Sequence, residues 1–166
     1  MIESALWGMV GTFIGAAASI ATTWISTNNA QLLHEKKWKD ERQTAMQDFQ
    51  RETLIDIQES LHDLFRRIYQ AYIEDCTALR SGVAWGKNEI SPDLDQDILL
   101  LTRKVSILTE RISDDELRAL IKTFVMVARS VLQTESKKDS DSLLADMSQQ
   151  FEQCVVQIGT VLRRNY

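Results

Sequence analysis

The stretch from Ser91 to Ile112, SPDLDQDILLLTRKVSILTERI, carries the clearest signal of the fold. It opens with Ser-Pro-Asp, which is typical of a helix with serine at the N-cap, proline at the first helical position and an acid in the first turn. Apolar residues then recur at alternating spacings of four and three, at Leu94, Ile98, Leu101, Val105, Leu108 and Ile112. This periodicity predicts a helix with one apolar stripe.

Three further segments show the same periodicity. The chain has no glycine or proline between Gly15 and Gly82, and the stripe before Gly82 is Met46, Phe49, Leu54, Ile57, Leu61, Leu64, Ile68, Tyr72, Cys76 and Leu79. Ser113-Asp114-Asp115-Glu116 reads as a capping box for a third helix with Leu117, Leu120, Phe124, Val127 and Val131. A fourth helix is expected to open near Ser140 or Asp141, with Leu144, Met147, Phe151, Cys154, Ile158 and Val161. Four stripes joined mostly by short connections predict an antiparallel four-helix bundle.

The composition agrees with an all-α chain. Among 166 residues there are only six glycines and one proline, Pro92, so a turn-rich β architecture is disfavoured. The formal net charge of −5 argues against bulk nucleic-acid binding, which normally requires a basic face. We therefore expect no nucleic-acid partner.

The N-terminal part of the chain has no charged side chain from Ser4 through Leu33. Its most apolar portion, ALWGMVGTFIGAAASIATTWI, has about the twenty residues needed to cross a ~30 Å hydrocarbon core. Trp7 and Trp24 flank it about 25 Å apart, where interfacial aromatic residues are common. We therefore expect a transmembrane helix over residues 5–26.

The residues that flank this segment predict whether it is cleaved and how it is oriented. A cleaved signal peptide is the alternative, because three alanines at 16–18 resemble a cleavage site, but no lysine or arginine precedes the apolar run. Lysine and arginine stay on the cytoplasmic side of a membrane, which predicts an inner-membrane protein with its N-terminus outside and its C-terminal domain cytoplasmic. The basic and aromatic residues expected at the membrane interface after the span are Lys36, Lys37, Trp38, Lys39 and Arg42.

Small residues form rows along the predicted span. Gly11 and Gly15 have the GxxxG spacing that lets two helix backbones approach closely. Rows on more than one face favour a homo-oligomer, since a ring uses two faces of each helix. The residues expected to pack between spans are Gly8, Gly11, Gly15, Ser19 and Thr23.

These features divide the chain into four predicted parts. They are an extracytoplasmic N-terminus (1–4), a transmembrane helix (5–26), a polar juxtamembrane helical stalk (27–50) and a cytosolic four-helix bundle (51–166). The expected fold is all-α, with one N-terminal transmembrane helix continuing into the antiparallel bundle.

The sequence predicts no catalytic, cofactor or metal site. His34 and His62 are the only histidines, and neither belongs to an HExxH or ExxH pair. Cys76 and Cys154 lack metal-ligand spacing and lie on apolar stripes, which indicates buried thiols. An enzyme with a site in a cleft of the bundle is the weaker alternative.

Trp85, in the loop before the second bundle helix, is the one conspicuous aromatic residue of the bundle region outside a stripe. A tryptophan on a short loop either covers the end of a bundle or contacts a partner. We keep Trp85 as a candidate contact for a cytosolic protein partner.

The first quarter of the chain, through residues 8–23 and 34–42, resembles small bacterial single-span membrane proteins with a cytosolic helical bundle. By architecture alone the chain is also similar to the membrane accessory protein of type VI-B CRISPR systems. That resemblance implies an oligomeric, pore-forming effector of antiviral defence in the bacterial inner membrane.

The function expected from the sequence is that of a non-enzymatic, self-associating membrane protein. Its partners would be the lipid bilayer, further copies of itself, and a cytosolic protein that the bundle docks or senses. A pore-forming or membrane-perturbing effector fits this description. The alternative is a monomeric or dimeric membrane tether or adaptor for another protein.

Overall fold

The structure is a computed structural model that describes the backbone of residues 2–164 and the side chains of residues 15, 19, 20, 22–24 and 26–164. It consists of four helices: α1 (Ile2–Arg80), α2 (Pro92–Thr109), α3 (Asp115–Gln133) and α4 (Lys137–Arg164). No β-strand occurs in residues 2–164. The prediction of an all-α chain is therefore confirmed.

The internal contacts divide the chain into two compact units, Met1–Met46 and Gln47–Tyr166. The first unit consists of the N-terminal part of α1. The second unit contains the rest of α1 together with α2, α3 and α4. The boundaries predicted from the sequence after residues 4, 26 and 50 stay predictions.

Contacts between helices in the second unit fix their relative direction. The Gln50 side chain, early in this part of α1, donates a hydrogen bond of 2.8 Å to the backbone carbonyl of Arg111, just beyond the end of α2. Arg67, later in α1, forms an ion pair of 3.0 Å with Asp97 near the start of α2. Helices α1 and α2 are therefore antiparallel, and the short connections that follow reverse the chain twice more into a four-helix bundle.

One apolar stripe from each helical segment meets in the core of the bundle. Phe124 lies fully buried near its centre, 6.1 Å from the half-buried ring of Phe151. Burying such a side chain contributes about 1.5–3 kcal/mol relative to leaving it exposed. The large side chains that are fully buried include Leu54, Ile57, Leu61, Leu64, Ile68, Val105, Ile112, Leu117, Ile121, Met147 and Ile158.

The predicted stripe of α1 is wrong at its N-terminal end. Met46 and Phe49 were expected in the core, but their side chains are 63% and 47% exposed. Among the described side chains of α1, the first buried ones are Thr53 and Leu54. Cys76 is half-buried rather than buried, whereas Cys154 is fully buried as expected.

Two predicted helix starts also differ from the structure. The N-cap of α3 is Asp114 rather than Ser113, and its Oδ1 accepts a hydrogen bond of 2.8 Å from the backbone N–H of Leu117. A carboxylate at this position also interacts favourably with the helix dipole. Helix α4 begins at Lys137 instead of Ser140, so the connection from α3 is shorter than predicted.

Two glycines shape the connection between α1 and α2. Gly82 ends α1 with φ +91°, and the next N–H, of Val83, returns 3.0 Å to the carbonyl of Ala78. Gly86 has φ +69°, and a Cβ atom there would lie 3.0 Å from the carbonyl oxygen of Thr134. Gly86 is therefore required both by its backbone conformation and by its closeness to the α3–α4 connection.

In the part of the chain that the structure describes, none of the helices combines the length and the apolar character needed to cross a membrane. This finding contradicts the transmembrane helix predicted over residues 5–26. The predicted inner-membrane location, the outside N-terminus and the pore depended on that helix and are wrong as well. The lipid bilayer as a partner stays a prediction. The physical reason is that glycine, serine and threonine contribute little to membrane insertion, so an uncharged segment is not necessarily apolar enough.

We expect Gly86→Ala to lower the free energy of unfolding by about 2–3 kcal/mol, because it adds a close contact with Thr134 to an unfavourable φ. Gly82→Ala is the matched control, since a Cβ atom at Gly82 meets no atom within 4 Å and only the φ term remains. The free energy of unfolding of this control should fall by about 1 kcal/mol. Chemical denaturation of both variants measures the difference, and equal losses would contradict the close contact at Gly86.

Candidate functional site

The small residues predicted to pack between helices lie on α1. The structure places Gly15, Ser19 and Thr23 on the surface, and a Cβ atom at Gly15 would meet nothing within 4 Å. The Thr23 hydroxyl donates a hydrogen bond of 2.9 Å to the Ser19 carbonyl on its own helix. Trp7, Gly8 and Gly11 lie outside the residues whose surroundings the structure describes. The role of this row in packing stays a prediction.

The basic and aromatic residues predicted at a membrane interface are all exposed. Trp24 and Trp38 have exposures of 70% and 72%. Lys37 forms a surface ion pair of 3.8 Å with Glu41 one turn further along α1. The four basic side chains alternate with the acids Glu35, Asp40 and Glu41, so residues 35–42 are nearly neutral together. The assignment of this segment to a membrane interface stays a prediction.

Trp85 packs inside the second unit. Its side chain is only 9% exposed, and its ring meets the ring of Tyr72 edge-on at 5.8 Å between centroids. Of the two roles expected for a loop tryptophan, this contact corresponds to covering the end of the bundle. Its role as a partner contact stays a prediction.

A polar network joins α1 to α4 beside Trp85. The Tyr72 hydroxyl donates a hydrogen bond of 2.6 Å to Asp141, and Lys137 forms an ion pair of 2.6 Å with the same carboxylate. The hydrogen bond to Asp141, followed by a hydrogen bond to Cys76 and by burial, raises the pKa of Tyr72 above its usual value. Lys137 and then Tyr72 lower the pKa of Asp141. Both shifts move these groups further from neutral pH, as in a structural network rather than an acid–base pair.

The described residues offer little to other kinds of chemistry. No group of three or more His, Cys, Asp and Glu side chains within them could hold a metal ion. Burial raises the pKa of the Cys154 thiol to about 11, which keeps this thiol protonated and unreactive at neutral pH.

Helices α2 and α3 leave an open groove between them. The side of α2 toward α3 carries the short side chains Thr102, Ser106 and Thr109, at spacings of four and three. The Ser106 hydroxyl donates to the Thr102 carbonyl at 2.9 Å and the Thr109 hydroxyl to the Val105 carbonyl at 2.7 Å. Because these hydroxyls are bonded within α2 and are short, they do not fill the space between the helices.

The groove is apolar at its base. Its main part has a volume of about 480 Å³ and continues into a smaller part of about 190 Å³ that shares Ser106 and Val125. The apolar side chains that line the main part are Leu64, Ile68, Ile98, Leu99, Val125, Ala128 and Leu132. A cavity of this size and character is typical of small-ligand sites.

Charged residues flank the groove in a defined register. Glu110 and Lys122 form an ion pair of 2.8 Å between the α2–α3 connection and α3. Since α2 and α3 are antiparallel, stepping seven residues back from Glu110 and seven forward from Lys122 places Arg103 opposite Arg129. Both arginines line the main part of the groove. Neither has an ion-pair partner among the residues whose side chains are described.

The groove was not predicted from the sequence, although one signal was available. Thr102, Ser106 and Thr109 form a row of short side chains immediately beside the apolar stripe of α2. A row of this kind predicts a gap wherever the neighbouring helix supplies no larger side chains to fill it.

Comparison with protein-family models, with curated proteins and with solved structures gave no match. The resemblances drawn from residues 8–23 and 34–42 therefore stay predictions. The function has to be inferred from the geometry of the chain itself.

The Tyr72–Asp141–Lys137 network predicts a pH-dependent contribution to stability. Because the pKa of Asp141 is lowered in the folded chain, its contribution is present above the unfolded pKa of about 3.9 and is lost as the pH falls through the folded value. Asp141→Asn should therefore lower the melting temperature at neutral pH, and this difference from wild type should vanish in strong acid. Asp146→Asn, at an exposed site on the same helix, is the control. A deficit of Asp141→Asn that persists in strong acid would contradict the assignment.

Proposed function

We propose that this chain is a non-enzymatic, self-associating helical protein in which residues 19–46 of α1 pair with the same segment of a second copy. The observation that carries the proposal is a set of large apolar side chains in the described part of the first unit that are mostly exposed. Four of them, Ile20, Trp24, Trp38 and Met46, have exposures of 71%, 70%, 72% and 63%, and Leu32 and Leu33 are also exposed.

These four side chains share one face of the helix. At 100° per residue, Ile20 and Trp38 each lie about 40° to one side of Trp24, and Met46 lies about 40° to the other side. The face is therefore about 80° wide, narrower than the stripe of roughly 100° on a core-facing helix and closer to the seam of a coiled coil. Below, "the tryptophan face" denotes these four residues.

The free energy of covering this face is large enough to drive association. A tryptophan side chain buries about 150–250 Å² at an interface, and apolar burial contributes about 25 cal/mol per Å². Only part of that free energy appears as affinity, because association also costs translational and side-chain entropy. Interface hot spots are nevertheless enriched in tryptophan, and the face contains two.

A second copy is the partner that the charges favour. Residues 35–42 carry four basic and three acidic side chains in alternation, so two copies can place lysine beside glutamate or aspartate without excess charge of either sign. A strongly acidic or basic partner would instead meet like charges on part of this segment. The expected complex is therefore a homo-oligomer formed through helix–helix contact.

The proposal predicts particles of more than one chain in solution. Light scattering or sedimentation of the full chain should give a mass above that of the monomer, and the mass should fall on dilution. Trp24→Ser together with Trp38→Ser should weaken association by at least about 30-fold, because each change removes an interface hot spot.

The matched control is Leu33→Ser, since Leu33 is 68% exposed but lies about half a turn from Trp24 around the helix. This variant should associate like wild type. A wild-type chain that remains monomeric at every concentration would overturn self-association and leave the adaptor function as the alternative. Equal effects of the tryptophan and leucine changes would place the interface elsewhere.

A further inference from the structure

The groove between α2 and α3 has the shape of a site for a single elongated ligand. Between the levels of Asp95 and Ser106 it extends about 16 Å along α2, at 1.5 Å per residue. The buried side chains at its base, Leu64, Ile68 and Ala128, offer only carbon atoms to a ligand. A groove of about 480 Å³ has the size of a small-ligand site, and an alkyl chain of about 16 Å would match its length along α2.

The charges at the mouth of the groove specify the other end of that ligand. Arg103 and Arg129 lie opposite each other, about 12 Å from the Asp95 end of the groove, and lack an acidic partner in the described part of the chain. Two facing guanidinium groups beside an apolar surface repel each other, and an anion between them removes the repulsion. The planar fork of arginine also matches the geometry of a carboxylate.

The one acid that lines the main part of the groove does not occupy this position. Asp95 precedes Arg103 by eight residues, about 12 Å along α2, and is therefore at the far end of the groove. The contrast with Glu110 and Lys122 is informative, because the same register supplies an opposite-charge pair there and a like-charge pair at Arg103 and Arg129.

We propose that the α2–α3 groove binds a single-chain amphipathic carboxylate, such as a fatty acid, with the alkyl chain along Ile98 and Ala128 and the carboxylate between Arg103 and Arg129. This site is independent of self-association, which uses residues 19–46 of the first unit. It gives the bundle a small-molecule ligand, while the first unit pairs with a second copy.

Isothermal titration calorimetry of the full chain with dodecanoate, below its micelle concentration, tests the proposal. The expected result is binding of one dodecanoate per chain. Acetate supplies the carboxylate without the chain, and dodecyltrimethylammonium supplies the chain with a cation. Neither should bind measurably, because the site requires both an alkyl chain and an anion.

Substitutions at the groove locate the ligand. Arg103→Gln and Arg129→Gln should each weaken dodecanoate binding about tenfold or more, since each removes a charged hydrogen-bond donor. Ser106→Leu should weaken binding, because a larger side chain one turn beyond Arg103 crowds the carboxylate end of the groove. Lys104→Gln is the matched control, because it removes the same charge from the next residue of α2 and does not line the groove. All four sites are exposed, so circular dichroism should show an unchanged fold.

Three results would overturn the proposal. Absence of dodecanoate binding to the wild-type chain excludes the ligand class. Equal binding of dodecanoate and dodecyltrimethylammonium reveals apolar adsorption without recognition of charge. Unchanged dodecanoate binding by the Arg103, Arg129 and Ser106 variants places the ligand elsewhere on the chain.

Discussion

The architecture depends on one constraint, which is that each helical segment of the second unit has a single apolar stripe and must bury it. Four stripes can be buried together only around a common core, and Phe124 lies fully covered within it. The same constraint leaves the remaining faces to other uses. On α2 the side next to the stripe has the short residues Thr102, Ser106 and Thr109, so burial of the stripe leaves the groove open. On α1 before residue 47 the side chains of the tryptophan face are exposed.

The bundle could be predicted from the sequence because its signals are local. The spacings of four and three, the Ser-Pro-Asp start of α2 and the stop at Gly82 each act within a few residues. The errors lie where a local pattern competes with tertiary context. Met46 and Phe49 continue the apolar periodicity, but their side chains are largely exposed. Ser113 and Asp114 could each accept the first hydrogen bond of α3, and in the structure Asp114 accepts it.

The prediction for the N-terminal segment was wrong and the groove was not predicted, for two different physical reasons. Absence of charge does not measure how favourably a segment transfers from water into a membrane. That depends on the summed transfer free energies of its side chains, to which glycine, serine and threonine contribute little. The groove depends on what α3 presents to α2, and periodicity within one helix does not contain that information. The Glu110–Lys122 ion pair sets the register between α2 and α3, and this register places Arg103 opposite Arg129. The groove and the placement of its two arginines therefore follow from contacts between helices and not from the sequence of one helix.

Hydrogen exchange at several protein concentrations tests the central claim, that the tryptophan face is covered by a second copy. A helix without tertiary contacts is only marginally stable, so its amides exchange quickly unless another chain packs against it. The account predicts that amides of residues 27–46 become more protected as the concentration rises, while those of the buried segment 54–71 stay equally protected throughout. Exchange in residues 27–46 that does not change with concentration would contradict the account.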